Sequence, residues 1–130
     1  MTTGMEGLAA GASALAGQSA GLRAAVDNGQ LVMDPERAEA VAKVYEEKAD
    51  ELRKKRLRTD QLIARNAYGD CFVGRQLGQK FQDKVNLPDT GLVALLTKME
   101  SILKDMAQAY RDSARDMKNA DDENARNLNV

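Results

Sequence analysis

Residues 92–128 read LVALLTKMESILKDMAQAYRDSARDMKNADDENARNL. Apolar or small residues fall at Leu92, Leu95, Met99, Ile102, Met106, Tyr110, Ser113, Met117 and Ala120. The steps between them are three and four, the spacing of one buried stripe on an α-helix. Leu96, Leu103, Ala107 and Ala114 widen the stripe, and neither Gly nor Pro interrupts it. At a rise of about 1.5 Å per residue, such a helix runs on the order of 50 Å. A one-sided helix of that length must bury its stripe against a second long helix, in this chain or in a partner.

A second long helix is present upstream. Asp34-Pro35-Glu36 is the clearest helix start in the chain. The Asp34 carboxylate can accept the free N–H groups of the first turn, Pro35 lacks an N–H that would go unpaired, and Glu36 suits the positive end of the dipole. The helix is predicted from Asp34 to about Asn66, with a stripe of Ala38, Val41, Tyr45, Ala49 and Leu52. The stripe weakens through Arg53-Lys54-Lys55-Arg56 and resumes at Thr59, Leu62 and Ile63. Glu39 with Lys43 and Asp50 with Lys54 are supportive pairs four apart, whereas Glu47 with Glu51 is mildly repulsive. In the connector, Tyr68-Gly69-Asp70 reads as a turn. Leu77, Phe81 and Val85 mark a short helix, ended by Asn86, Pro88, Asp89 and Gly91, with Asp89 or Thr90 capping the last helix. No stretch alternates convincingly with period two, so strands are not expected.

The predicted fold is therefore all-α: an elongated antiparallel helical hairpin of two long helices with a short connector helix, pairing into a helical bundle. The stripes Val41–Leu52 and Leu92–Met117 face each other, and Phe72 and Phe81 close one end. Residues 31–124 form the hairpin domain. Residues 1–30 are an Ala/Gly-rich arm or a weak helix with a stripe of Leu8, Ala12, Leu15, Ser19, Leu22 and Val26. Gly11, Gly17 and Gly21 each weaken that helix by about 1 kcal/mol relative to Ala. Asp27-Asn28-Gly29 is a turn signal. Residues 125–130 are a polar C-terminal tail, and the helix is expected to fray after Ala120.

Composition agrees with an elongated helical chain. Hydrophobic residues make up 43% but aromatics only 4%. That is lean for a compact globule and ample for the thin layers of a helical seam. Net charge is −1, without a global basic bias towards nucleic acid or anionic lipid. Cys71 is the single cysteine, so no intrachain disulfide forms. The opening MTTGMEGLAAGASALAG lacks the basic and strongly apolar regions of a standard secretory signal, and no apolar run is long enough to span a membrane. There is no His, phosphate loop or metal-ligand cluster, so no enzymatic activity, cofactor or metal is expected.

A Gly-rich lead, a capped Asp-Pro-Glu helix, a Gly-aromatic turn and a long amphipathic helix with an acidic end together resemble a family. Residues 31–128 are similar in pattern to actinobacterial relatives of the Trp-Xaa-Gly helical-hairpin proteins, substrates of type VII (ESX) secretion. The chain has no Trp. Tyr68-Gly69 and Phe72-Val73-Gly74 sit where that family places its turn, and Phe72 and Gly74 are the nearer stand-in. The family's export signal pairs a Tyr with an acidic residue four positions later. Tyr110 is followed at that spacing by Ala114, whereas Met117 is followed by Asp121, which keeps the acid and loses the Tyr. The resemblance implies a four-helix bundle with a partner hairpin and, in some members, a carrier role for a larger effector.

Three functional readings follow. The first is a type VII secretion-associated protein acting by protein–protein interaction, a secreted substrate or co-secreted partner, exported without a leader or held at the cell surface. Its bundle interface would be Val41, Tyr45, Leu52, Leu95, Met99, Ile102, Met106 and Tyr110, as a homo- or hetero-oligomer with another helical hairpin. Met117 and Asp121 would meet the secretion ATPase. The second is a cytoplasmic adaptor or chaperone for a larger effector. The third is a coiled-coil regulator that binds a polyanion through Arg53–Arg58; the plainer reading of that cluster is a solvated segment whose long stems cover the seam. Cys71 reads as a small, half-buried residue beside the turn. Met99, Met106 and Met117 read as seam filling, or as an adaptable binding surface.

Overall fold

In the computed structural model of the chain, the described backbone covers residues 4–64, 71–88 and 91–128, and side-chain surroundings are described for 6–59, 61, 71–80, 82–88 and 91–115. The element order is α1 (Gly4–Asp27), α2 (Pro35–Ala64), α3 (Phe72–Val85) and α4 (Leu92–Leu128), with no strand among the described residues. The protein is an all-α helical bundle.

Local chemistry sets the joints. After α1, Gly29 takes φ +73°, a left-handed conformation that suits glycine. The Gly29 N–H then donates to the Val26 carbonyl at 3.1 Å and the Gln30 N–H to the Ala25 carbonyl at 2.8 Å, pairing carbonyls that the helix end would leave open. At the start of α2 the Asp34 carboxylate accepts from the Arg37 N–H at 3.3 Å, so the predicted cap forms. Between α3 and α4, a Cβ added at Gly91 would lie 2.5 Å from the Leu87 nitrogen and the Val85 carbonyl oxygen. Only glycine fits that close passage.

α2 and α4 form the antiparallel pair that the periodicity calls for. Arg56 meets Glu100 near one end and Glu39 meets Arg111 near the other. Ala38, Ala42 and Ala49 on α2 are at most 1% exposed, so α2 approaches α4 through small side chains. α1 also packs along α4. It runs parallel to α4, since Ala16 and Arg23 share a groove with Ile102 and Gln108, and Arg23 reaches Asp112. Of the two readings of residues 1–30, the helix is the one that forms, with Leu8, Ala12, Leu15, Ser19, Leu22 and Val26 all buried or half-buried. α1, α2 and α4 thus share one core, in which Ala49, Leu103 and Met106 are surrounded by Leu15, Leu22, Tyr45, Leu52 and Ile102. Because α4 serves two helices, its buried face is wider than one stripe and takes in Ala107, Ala109, Ser113 and Ala114.

Four expectations are corrected. Phe72 does not close the end of the hairpin; it is 69% exposed. The Cys71 Sγ accepts the Gly74 N–H at 3.2 Å and caps α3, which starts the helix at Phe72 and turns Phe72 and Val73 outward. Gly74 is therefore buried in the first turn of a helix rather than placed in the hairpin turn, and Cys71 is exposed rather than half-buried. α4 also continues as helix to Leu128, past the fraying point expected at Ala120. Tyr68 and Gly69 lie outside the described residues, as does the side chain of Phe81.

Candidate interaction site

The eight predicted interface residues turn towards the chain's own helices. Leu95 and Met106 are buried, and Val41, Tyr45, Leu52, Met99, Ile102 and Tyr110 are half-buried. Tyr45 on α2 and Tyr110 on α4 stack with ring centroids 5.4 Å apart and planes 29° apart. Burial, with the neighbouring Tyr45 hydroxyl, pushes the Tyr110 phenol above its ordinary pKa. The stripe is thus at least half-buried within one chain.

Ion pairs flank this seam, and the hydrophobic periodicity does not reveal them. Arg111 Nε and Nη2 donate to both carboxylate oxygens of Glu39 at 2.9 and 3.0 Å, and Nη1 pairs with Glu46, two turns further along α2. The hydrogen bonds from Arg111 hold the Glu39 and Glu46 carboxyls below their ordinary range and raise Arg111 itself. Arg23 on α1 donates to Asp112 on α4 at 2.8 Å. Burial alone would raise the Asp112 carboxyl, but hydrogen bonds from Arg23 and Gln108 outweigh it and hold it low. One signal was present in the sequence: Glu100, Arg111 and Asp112 sit at the margins of the α4 stripe, where long charged side chains commonly bridge to a neighbouring helix.

The basic cluster is divided by the fold. Arg53 and Lys54 both pair with Asp50 on their own helix. Arg56 turns into the seam and pairs with Glu100, leaving Lys55 and Arg58 exposed. The cluster therefore does not present a continuous cationic row, and Arg53 and Arg56 serve first as ion-pair partners.

Met117 and Asp121 lie on a stretch of α4 that outruns its neighbours. Arg23 meets Asp112 one turn before α1 ends at Asp27, and Glu39 meets Arg111 one turn after α2 begins at Pro35. α4 then continues to Leu128. At about 1.5 Å per residue, the part beyond both neighbours is roughly 18 Å long. The side chains of Met117 and Asp121 are outside the described residues.

Among the described residues, no group of three His, Cys, Asp or Glu side chains could hold a metal ion, and no helix is long and apolar enough to cross a membrane. The grooves beside α4 are open and shallow; the one between α2 and α4 is lined by charged residues already engaged with one another, among them Glu46, Asp50, Glu100 and Arg111. The arrangement is suited to holding helices together. Compared with protein-family models, curated proteins and solved structures, the chain matches none.

Proposed function

We propose that this protein is a type VII secretion-associated helical protein that acts by protein–protein interaction and is exported, alone or with a partner, through recognition of the α4 end. The observation that carries this reading is the length of α4. Its last three turns run beyond α1 and α2 as continuous helix, and this stretch bears Met117 and Asp121 one helical turn apart. A helix end that outruns α1 and α2 is what a secretion ATPase would need in order to read an acidic side chain in helical register. The sequence resemblance supports the same reading. Pairing with a second hairpin is not needed to complete the core, because α1 already covers α4 beside α2. The proposal therefore places recognition on the tail rather than on the seam.

The test is export of the full chain, tagged at its N-terminus, in a host with an active type VII system and in the same host lacking the system's ATPase. Appearance in the culture filtrate that depends on the ATPase, and that is lost in Asp121→Ala, supports the proposal. Retention in the cell, with a lysis marker to control the fractions, rejects it and favours the cytoplasmic adaptor.

A further inference from the structure

We infer that the solvent face of α3 is a peripheral docking surface for an anionic lipid bilayer. The starting point is a charge separation that the net charge conceals. Residues 53–98 carry ten Lys and Arg against four Asp and Glu, a net charge of +6, so the rest of a chain of net −1 carries −7. In the fold, the described residues of this segment lie on the last turns of α2, on α3 and on the first two turns of α4; the Arg56–Glu100 contact puts the α2 and α4 parts at one end of the bundle, and α3 packs on α4. Arg53, Lys54 and Arg56 are paired with Asp50 and Glu100, and among the described residues that end presents Lys55, Arg58, Lys80, Lys84 and Lys98 as exposed basic side chains.

Among the described residues, this end also carries exposed apolar side chains. On α3, Val73, Leu77, Lys80 and Lys84 follow one another at steps of four, three and four, so they share one face, and all four are exposed. Gly74 and Val85 are buried and Gly78 half-buried on the flank about a third of a turn round. Phe72 is 69% exposed, Val73 61% and Leu77 49%, with Leu87 at 45% just beyond the helix. Among the described residues, α3 packs on the bundle mainly through α4. A free helix face with apolar side chains at its start and lysines along its second half is the pattern of an interfacial helix. The apolar groups enter the acyl boundary, while the lysine stems lie along it and their ammonium groups reach the headgroups.

Charge complementarity selects the occupant. A neutral apolar groove would leave Lys80 and Lys84 unsatisfied, and a purely ionic polymer would leave Phe72, Val73 and Leu77 in water. The acidic end of a second copy offers charge but little apolar surface, since residues 121–128 read DDENARNL. An anionic bilayer supplies both chemistries at once, and each basic side chain near its surface adds to the attraction. The inference is independent of the secretion reading: it concerns the opposite end of the molecule from Asp121.

The test is co-sedimentation of the full chain with vesicles of phosphatidylcholine alone and of phosphatidylcholine with phosphatidylglycerol. Binding is expected to the anionic vesicles, to weaken as salt rises, and to fall at least about tenfold in Val73→Asp/Leu77→Asp. Because both side chains are exposed, circular dichroism should show that variant to be as helical as the parent. Lys80→Glu/Lys84→Glu, which leaves the apolar face intact, should lose the preference for anionic vesicles. Three results would overturn the inference. One is no binding to anionic vesicles at low salt. Another is binding that the Val73→Asp/Leu77→Asp variant retains. The third is a lipid-free dimer, seen by light scattering, that the same variant abolishes; this would assign the face to a second copy.

Discussion

Arg56 Nη1 on α2 donates to Glu100 Oε2 on α4 at 3.0 Å, and the Glu100 side chain is only 9% exposed. The same guanidinium donates to Thr97 at 3.1 Å, and Lys104 reaches the other Glu100 oxygen at 3.2 Å. This polar layer interrupts the apolar seam between Leu52 and Thr59 on α2. A buried carboxylate with a single interhelical arginine has one satisfactory alignment, so the pair ties the register of α2 to that of α4. Arg56→Ala removes that partner and leaves Glu100 buried beside Lys104 alone. The expected loss is about 2–3 kcal/mol in urea denaturation. The double variant Arg56→Met/Glu100→Leu should recover most of it, since no charge then remains to be solvated. An equal or greater loss in the double variant would show that the pair contributes net stability.

The core rests on small residues against large ones. Met106, 4% exposed, packs beside Ala49, which is fully buried. Met106→Ala should destabilise by about 2–4 kcal/mol through a cavity. Ala49→Leu should destabilise by about 1–3 kcal/mol for the opposite reason, since α2 can no longer approach α4 as closely. Thermal melts followed by circular dichroism read both.

Glycines in two places should respond with opposite signs. In α1, a Cβ at Gly11, Gly17 or Gly21 would meet nothing within 4 Å. Each Gly→Ala there should stabilise by up to about 1 kcal/mol and raise the melting temperature. Gly91→Ala would drive a methyl group into the Val85 and Leu87 backbone, and should lower the melting temperature and loosen α3 first. Hydrogen exchange on α3 amides would report the loosening.

Acid should open the bundle through its carboxylates. Glu39 and Glu46, held low by hydrogen bonds from Arg111, ionise more readily folded than unfolded. So does Asp50, through its hydrogen bond with Arg53. Asp112 joins them because Arg23 and Gln108 outweigh its burial. A depressed folded pKa contributes stability that is present above the unfolded value, about 4, and is lost as pH falls through the folded value. Tyr110 acts in the other direction. Its phenol, raised by burial, contributes stability that is lost as pH rises past about 10. Stability measured from pH 2 to 11 should therefore form a plateau with two falling edges. Arg111→Ala should flatten the acid edge and leave the alkaline one unchanged.

The helices and their inward faces were legible in the sequence because those signals are local. The three–four spacing around Met106, the Asp34-Pro35 cap and the Asn28-Gly29 turn each act within one or two turns of chain, and each forms where it was expected. For the same reason all six predicted positions of α1 face the bundle, although the Ala/Gly-rich stretch could not announce that it would be helical at all. That outcome depends on α4 having enough buried width for two neighbours. Pairings between residues far apart in sequence were not legible. Arg56 stands in a run of basic residues that looks solvated, and its partner Glu100 lies on another helix, so no local period connects them. The outward face of α3 was equally hidden. Leu77 and Val85 look equivalent as apolar residues, yet Gly74 is the side that fits against the bundle, which buries Val85 and exposes Leu77. The sequence alone thus determined where α2 and α4 lie and which stripe each of them buries, because periodicity and capping are short-range. The tertiary structure alone decided that α1 joins the core, which charges cross the seam and which apolar side chains stay in water, because those outcomes depend on which faces meet once the helices pack.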